Sequence, residues 1–483
     1  AYSVNIKERL DFSCAVFDSH GGLIANAPHM PVHLGSMGES VKSIMENFSK
    51  DFRPGNSYAT NDPYNGGTHL PDITVVTPVF NNAGTNILFF VASRGHHADI
   101  GGITPGSMPP FSKKVHQEGI IIDNFKLVTE GIFHERDFRK LLSSSEWPAR
   151  NPDQNIADIM SQIAANEVGL RELHQAVAHF GLETVKAYMR HVQDNAADLV
   201  RRAIASLRSG SFNYPLDDGN QIKVKVDINH DLGEATIDFS GTSSQLKNNF
   251  NAPAAVCKAS VLYVFRTLIE DTIPMNEGCL KPIEIIIPSG CMLNPNYPAA
   301  VVAGNVETSS HLTDALYGAL GVLSAAQGTM NNFTFGNDEY QYYETISGGS
   351  GAGPGFDGTD AVQTHMTNSR LTDPEILEWR YPVRLESFQI RPKSGGTGKF
   401  CGGNGTIRRI RFLKPMTAAI LSGHRIVKPF GLKGGAPGKT GKSYVERIDG
   451  VKEILRGADQ IEINSGDIFT IETPGGGGYG SKD

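Results

Sequence analysis

The chain has 483 residues, of which 39% are hydrophobic and 20% charged, so its composition is that of a globular protein rather than a disordered or fibrous one. Its formal net charge of -7 argues against a nucleic-acid partner, because surfaces that bind a phosphate backbone concentrate Lys and Arg. The longest apolar runs are far shorter than the roughly 20 residues that a membrane-spanning helix needs. We therefore expect a soluble protein whose partners are neither nucleic acid nor a membrane.

The length of the chain exceeds the size at which one hydrophobic core usually stops growing, so two or more packed regions are expected. The five cysteines are odd in number and widely scattered, and no secretory signal opens the chain, which predicts a reducing, cytoplasmic location. The chain begins inside a motif-like stretch without an initiator Met. We therefore expect further residues upstream.

In chain order, the sequence predicts four regions. Residues 1–152 alternate β-branched apolar runs with Gly, Asn and Pro clusters, which predicts a β-rich region that includes a hairpin over 12–26. Residues 153–210 have apolar positions at helical spacing. Residues 211–385 predict a mixed α/β region with polar loops, and residues 386–483 predict short strands separated by Gly-rich joins. The predicted fold class is α+β, with β-rich ends and a helical middle segment.

Three finer predictions fall in the mixed region. Period-two alternation over 222–239 predicts a second hairpin around a polar turn. Good helix formers predict one helix over 254–270 and another over 309–327.

The first candidate site is the polar loop 61–72, which delivers His69 and Asp72 to the start of an apolar strand. An imidazole and a carboxylate three residues apart on a tight turn can point at one ion. Gly66 and Gly67 would allow the close backbone approach that such a loop needs. The alternative is an ordinary turn in which polar side chains bond their own backbone and His69 is solvated.

The second candidate site follows the apolar strand 87–92 and contains His96, His97 and Asp99. Adjacent residues in a strand point to opposite faces, so we expect only one of the two histidines to be a metal ligand. The other would serve proton transfer or substrate contact. Asp99 shares the face of His97 if the strand continues. The alternative is a polar turn whose groups satisfy one another.

Taken together, the two segments offer nitrogen and oxygen ligands of the kind that suit a divalent metal such as zinc, manganese or iron. His69, Asp72, His97 and Asp99 make up this candidate ligand set, in which Asp99 is either a ligand or the acceptor of the second N–H of a ligand imidazole. A metal site that keeps an open position can polarise a carbonyl or lower the pKa of bound water. Both effects favour hydrolysis of an amide.

Two further histidines, His29 and His33, are four residues apart, but Pro28 and Pro31 argue against a regular helix there. The metal-binding argument from helical spacing therefore does not apply, and we expect these histidines to line a substrate loop. Ordinary turn residues are the alternative.

Later polar loops mix amides and hydroxyls with glycine, as ligand-contacting loops do. We predict substrate contacts from Asn305 and from Arg370, whose guanidinium could grip a carboxylate bidentately. The glycine-rich stretch 342–354 lacks the Lys-Ser/Thr ending of a P-loop, so we do not expect ATP to bind to this chain by that means. Structural turn roles are the alternative for each loop.

Seven motif-like stretches follow one another along the chain, at 5–14, 66–72, 93–102, 248–253, 304–306, 327–332 and 473–480. Taken in this order, they resemble the B-type subunit of the hydantoinase/5-oxoprolinase family. The resemblance runs from residue 1 to about 480.

The resemblance implies half of an ATP-dependent cyclic-amide hydrolase. An A-type, actin-like ATPase partner would hold ATP and magnesium and phosphorylate the ring carbonyl, and this chain would complete ring opening of 5-oxoproline or a hydantoin. His69, Asp72 and His97 resemble the metal ligands of the related carboxylases. His96 and Asp99 are then the predicted catalytic groups, one of which would accept or donate a proton. A hetero-oligomer is implied. The alternatives are an acetone or acetophenone carboxylase-like subunit and a non-catalytic scaffold for the ATPase.

Overall fold

The structure is a computed structural model that describes residues 1–27 and 29–482. Within these residues the strands form four sheets, and helices accompany them, so the fold is α+β, as the sequence predicts. No helix of the described chain is both long and apolar enough to cross a membrane.

The first sheet has seven strands in the order β2-β1-β5-β4-β3-β6-β7, and every neighbouring pair is antiparallel. Pairing of the first two strands confirms the predicted hairpin. The strands are β1 Phe12–Asp18, β2 Leu23–Asn26, β3 Ser57–Thr60, β4 Asp72–Phe80, β5 Ile87–His96, β6 Phe125–Thr129 and β7 Ile132–Phe133.

Helices α1 to α5 belong to the same part of the chain as this sheet or follow it directly. The last two confirm the predicted helical segment, divided only at Gly181. The helices are α1 Val4–Lys7, α2 Pro31–Phe48, α3 Glu135–Leu142, α4 Pro152–Phe180 and α5 Leu182–Ser206.

The central strand β4 is buried along its whole length, so both faces of the first sheet must be covered. Val75 packs in one core cluster with Ile159 of α4. Val76, which points to the opposite face, packs in another cluster with Met37 and Val41 of α2. The sheet therefore lies between α2 and α4, and its polar residues at the strand ends are enclosed.

Buried amides also bind α4 to the sheet. Gln162 donates to the carbonyl oxygens of Ile73 at 2.9 Å and Ser93 at 3.1 Å, and Asn166 donates to that of Val75 at 3.0 Å. Buried hydrogen bonds of this kind fix one arrangement, because sliding the helix would leave several polar groups without partners. Helix α4 therefore holds β4 and β5 in a fixed position.

The second sheet, in the order β11-β10-β9-β8, packs with α5, α6 and α7 around a separate apolar core. The antiparallel pairing of β9 with β10 confirms the second predicted hairpin. These elements are β8 Gly210–Pro215, β9 Gln221–Asn229, β10 Glu234–Asp238, β11 Ile283–Ile286, α6 Ala254–Thr267 and α7 Ser309–Leu320.

The third and fourth sheets share a core. Their orders are β13-β12-β16-β19 and β14-β15-β20-β17-β18. The third sheet contains strands from both sides of residue 385, where the sequence predicts the boundary between the third and fourth regions. The division of the chain into four regions stays a prediction. The elements are β12 Asn332–Gly336, β13 Gln341–Glu344, α8 Pro374–Arg380, β14 Val383–Ile390, β15 Thr406–Phe412, β16 Met416–Leu421, β17 Lys442–Glu446, β18 Lys452–Leu455, β19 Ala458–Ile463 and β20 Ile468–Glu472.

The Gly-rich C-terminal segment packs backbone against backbone. Gly476 donates to the carbonyl oxygen of Gly403 at 2.9 Å and accepts from the N–H of Gly396 at 2.8 Å. A Cβ atom on Gly476 would lie 1.9 Å from the carbonyl oxygen of Ser350. Only glycine permits this approach, which explains the composition of the segment.

Three local predictions differ from the structure. Proline is tolerated in the first turn of a helix, so α2 begins at Pro31 and His33 is helical, contrary to the prediction of an irregular loop. The strand β5 ends at His96, so Asp99 is not on a continuing strand. The helices predicted over 254–270 and 309–327 are confirmed but end earlier, at Thr267 and Leu320, the latter capped by a glycine.

Glu118 connects the first sheet region to the backbone ahead of α7. Its buried carboxylate accepts hydrogen bonds from the Ser112 hydroxyl at 2.8 Å and from the N–H groups of Val301 at 3.1 Å and Val302 at 3.0 Å. Burial raises the pKa of Glu118 to about 8, and these hydrogen bonds offset only part of that effect.

We expect Glu118→Gln to flatten the pH dependence of stability. The raised pKa means that the folded protein holds a proton that the unfolded chain releases, so stability is highest at low pH and falls as pH rises toward 8. This contribution amounts to about 1.4 kcal/mol per pH unit between about pH 5 and pH 8. Urea unfolding of both proteins across that range measures the difference. Glu130→Gln, which removes an exposed carboxylate, is the control, and equal slopes for wild type and Glu118→Gln would contradict the prediction.

Candidate metal centre

The ends of two paired strands bring three potential metal ligands together. Asp72 is the first residue of β4, His96 is the last residue of β5, and the antiparallel register sets them opposite each other. His69 lies in the loop before β4, with its ring centre 5.1 Å from that of His96. The loop is tight at Gly67, where a Cβ atom would lie 2.6 Å from the carbonyl oxygen of Asn61.

His69, Asp72 and His96 are buried, and each offers one ligand atom within 4.8 Å of the others. Asp72 Oδ2 lies 3.0 Å from His69 Nδ1, and Asp72 Oδ1 lies 3.3 Å from His96 Nδ1. Asp72 Oδ1 and His96 Nε2 are buried without a hydrogen-bond partner among residues 1–27 and 29–482. Orphaned buried polar atoms are uncommon, and a metal ion would satisfy them.

Two residues that the sequence assigns to substrate loops border this cluster. His33 Nε2 lies 3.2 Å from Asp72 Oδ2, and its Nδ1 is 3.2 Å from the Ser13 hydroxyl. Asn305 Nδ2 lies 3.1 Å from His69 Nδ1 and 3.4 Å from Asp72 Oδ2. Asn305 belongs to a π-helical turn, Gly304–Thr308, that leads into α7. Both side chains therefore contact the candidate ligands directly.

The electrostatics of the cluster favour the ionisation states that bind metal. Burial alone would raise the pKa of Asp72, but His33 and His69 outweigh it and hold that pKa well below its usual range. Burial lowers the pKa of His96, more than the hydrogen-bonding and charge effects of Asp72 restore. An ionised carboxylate beside a neutral imidazole is the form in which these groups coordinate a metal.

His97 does not lie in the cluster. Its Nε2 is 3.1 Å from Gln162 Oε1, and its Nδ1 is 3.0 Å from Asn155 Nδ2, so both ring nitrogens contact α4. The two histidines do diverge, but His96 faces His69 and Asp72, whereas the sequence assigned that position to His97. His96, rather than His97, therefore lies with the candidate ligands, because α4 covers the face of the sheet to which His97 points.

Asp99 is also outside the cluster. Its carboxylate forms an ion pair with Arg150 at 2.9 Å and accepts hydrogen bonds from the N–H groups of Gly101 and Gly106, each at 3.0 Å. A buried carboxylate with these partners ties together the loop after β5. The geometry supports a structural role rather than the predicted catalytic one.

His29 and Arg370 do not join the cluster either. The His29 ring accepts a hydrogen bond from the N–H of Cys14 at 3.0 Å and lies 5.0 Å from the ring of Phe12. Arg370 is exposed, and its backbone N–H donates to the carbonyl oxygen of Arg9 at 2.9 Å. Their predicted substrate contacts stay predictions.

Sequence reasoning missed Tyr343, whose ring stacks on His96 with centroids 4.7 Å apart. The guanidinium of Arg9 lies over the ring of Tyr343, 4.8 Å from its centre, and donates to the Tyr343 carbonyl oxygen at 2.9 Å. Tyr343 lies in β13 of the third sheet, far along the chain from His96. No local pattern marks this contact, which depends on how the sheets pack.

Comparison with known proteins agrees with this architecture. The sequence profile described as "Hydantoinase B/oxoprolinase" matches residues 1–482. The chain is 48% identical to 5-oxoprolinase 1 of Arabidopsis thaliana, covering 99% of this chain and 40% of that protein. It is 37% identical to an uncharacterized protein of Methanocaldococcus jannaschii, covering 100% of this chain and 86% of that protein. The chain thus spans about 40% of the length of the plant relative but most of the archaeal one.

Two solved structures have a similar fold. An ATP-dependent caprolactamase from Pseudomonas jessenii is 26% identical, with a TM-score of 0.88 over 98% of this chain and 85% of that chain. A nucleotide-free acetone carboxylase is 18% identical, with a TM-score of 0.87 over 99% of this chain and 72% of that chain, and this likeness shows the fold alone. With the family profile matched over residues 1–482, the chain belongs to the hydantoinase B/oxoprolinase family.

Proposed function

We propose that this chain is the ring-opening half of an ATP-dependent hydrolase that acts on a five-membered cyclic amide such as 5-oxoproline or a hydantoin. The observation that carries the proposal is the buried cluster of His69, Asp72 and His96 in a chain so similar to a 5-oxoprolinase. The structurally similar caprolactamase is also named as an ATP-dependent enzyme for a cyclic amide, which supports the same reaction class.

In this proposal His69, Asp72 and His96 hold a divalent metal of the zinc, manganese or iron kind. Two imidazoles and one carboxylate are a donor set that such ions accept, and they leave positions open for other ligands. When bound, the metal would polarise a carbonyl and lower the pKa of a coordinated water. The burial of all three side chains keeps bulk water away from the reacting bond.

The surrounding residues position the ligands and the substrate. His33 contacts Asp72 at 3.2 Å, and the stacked ring of Tyr343 restricts rotation of the His96 imidazole. Asn305 Oδ1 is buried and has no hydrogen-bond partner in the described chain. Because its amide lies beside His69, this oxygen is placed to accept the N–H of a cyclic amide, which would orient the ring toward the cluster.

ATP is needed because an unstrained lactam is a poor electrophile, and phosphorylation of its carbonyl oxygen creates a leaving group. We place that step in an A-type, actin-like ATPase region, either in the same polypeptide or in a separate subunit. The length of the plant relative, of which this chain covers 40%, leaves room for such a region. The division of labour is therefore activation by the ATPase region and ring opening at the metal cluster.

Metal analysis of two adjacent variants tests the ligand set. We expect His96→Ala to lower metal affinity by about tenfold to a hundredfold or more, because a ligand is lost. His97→Gln, which keeps a polar side chain against α4, should retain wild-type metal content. Elemental analysis after dialysis against zinc or manganese measures both, and circular dichroism verifies folding. Metal loss in His97→Gln with full metal content in His96→Ala would refute the assignment.

The reaction is tested with the chain assembled with its ATPase region. We expect ATP-dependent formation of glutamate from 5-oxoproline, or of the corresponding ring-opened product from a hydantoin. Asp72→Asn should lower the rate by at least about a hundredfold, because it removes the anionic ligand at the centre of the cluster. Glu130→Gln serves as the surface control. ATP use that depends on a ketone and bicarbonate, without ring opening, would favour the carboxylase alternative; full activity in Asp72→Asn would favour the scaffold alternative.

A further inference from the structure

A cavity of about 440 Å³ lies beside α7, where His311 forms part of its lining. Its walls come from the end of β8, from α7, and from the segments that follow β16 and precede β19. Its volume falls in the range of small-molecule sites. We call it the α7 cavity, and the residues used below are Leu216, Asp217, Phe250, His311, His424 and Arg425.

Arg425 brings a positive charge to this cavity without a direct counter-ion. It donates to the Gly423 carbonyl oxygen at 2.8 Å and to Asn331 Oδ1 at 2.9 Å, both neutral acceptors. Its Nε is buried without a partner, and neither of its side-chain hydrogen bonds within residues 1–27 and 29–482 goes to a carboxylate. Burial lowers its pKa to about 10, so the guanidinium is still charged at neutral pH. A half-buried guanidinium without an ion-pair partner favours an anionic ligand.

Two acids, Glu307 and Asp217, raise the pKa of Arg425 through their charge, but neither carboxylate forms a hydrogen bond with its guanidinium in the described chain. Asp217 accepts from the N–H groups of Arg425, Ile426 and Val427, at 2.7 to 3.1 Å. Glu307 accepts from the N–H of Gly423 at 2.7 Å, and burial raises its pKa to about 8. Glu307 is therefore mostly protonated at neutral pH and does not neutralise the guanidinium.

The imidazole of His311 adds a free polar atom. Its Nδ1 is buried without a hydrogen-bond partner in the described chain, and its ring centre lies 5.4 Å from that of Tyr214 and 5.6 Å from that of His424. Both ring nitrogens of His424 are occupied, by the Val427 carbonyl oxygen at 2.7 Å and the Tyr214 hydroxyl at 2.5 Å. Leu216 and Phe250 supply apolar walls.

We propose that the α7 cavity binds a small organic carboxylate, with the carboxylate at Arg425 and His311 and the carbon skeleton against Leu216 and Phe250. A guanidinium and a neutral imidazole recognise a carboxylate through charge and hydrogen bonding, while the apolar walls accept a short chain or ring.

The cavity and the proposed metal cluster are lined by residues of one helical segment, Gly304 to Leu320. Asn305 and His311 lie six residues apart on one helical segment, which corresponds to roughly 9 Å along its axis. Glu307, on the same segment, also accepts from Asn332 at 2.7 Å, and Asn332 accepts from the hydroxyl of Tyr343, the residue stacked on His96. A carboxylate in the α7 cavity would therefore lie more than one helical turn from Asn305, farther than a single five-membered ring reaches, so the cavity would be a carboxylate site separate from the reacting ring.

Isothermal titration of the full chain with 5-oxoproline and 2-pyrrolidinone, without ATP, tests the inference, since the two rings differ only in the carboxylate. Choosing 5-oxoproline rests on the proposed function, but binding needs no turnover. We expect 5-oxoproline to bind at least about tenfold more tightly than 2-pyrrolidinone and to lose at least about tenfold in Arg425→Gln. Arg456→Gln, on the cavity rim with an exposed side chain, is the matched control and should bind as wild type does.

Equal affinity for the two rings, no binding of 5-oxoproline, or binding that survives in Arg425→Gln but disappears in His69→Ala would overturn the cavity assignment. If Arg425→Gln does not fold, Leu216→Trp fills the cavity from an apolar wall and should abolish binding while leaving metal content unchanged. Carboxylate-dependent binding with no ATP-dependent ring opening would count against the proposed function and leave the cavity assignment standing.

Discussion

The pairing of β4 with β5 is the constraint on which the candidate site depends. Antiparallel register places Asp72, at the start of one strand, opposite His96, at the end of the other. A shift of one residue would turn every side chain of a strand to the other face and would replace His96 by its neighbour. The buried carboxylate of Asp72 then attracts His33 and His69, so one ladder of hydrogen bonds organises the whole cluster.

Helix α4 protects this register from the opposite face. The amide of Gln162 donates to carbonyl oxygens in both strands. The amides of Gln162 and Asn155 contact the two ring nitrogens of His97. Such a buried polar network favours one arrangement, because another register would leave more of its polar groups without partners. The contrast between the engaged ring of His97 and the open Nε2 of His96 follows from it.

The helical segment from Gly304 to Leu320 joins the cluster to the rest of the molecule. Its first turn is π-helical, a rare geometry that recurs at functional sites, and it directs Asn305 toward His69. Further along, Glu307 binds strand β12 and the loop after β16, and His311 faces the α7 cavity. One helical segment thus relates the candidate metal cluster to a second polar cavity.

The sequence by itself determined much of the local structure: both hairpins, the helical segment over 153–210, the α+β class and the choice of His69 and Asp72 as neighbours. These follow from short-range periodicity and from residue types a few positions apart. It also determined that His96 and His97 diverge, because neighbouring strand residues face opposite ways.

Only the tertiary structure decided which of the two histidines faces Asp72, since that depends on which side α4 covers. The helical position of His33, the engagement of Asp99 by Arg150 and the stacking of Tyr343 on His96 likewise join segments far apart in the chain. The α7 cavity has the same origin, because Arg425 and His311 meet only when sheets and helices from separate regions pack together. Contacts between residues so far apart in the chain do not show up in the spacing of residue types along a single sequence.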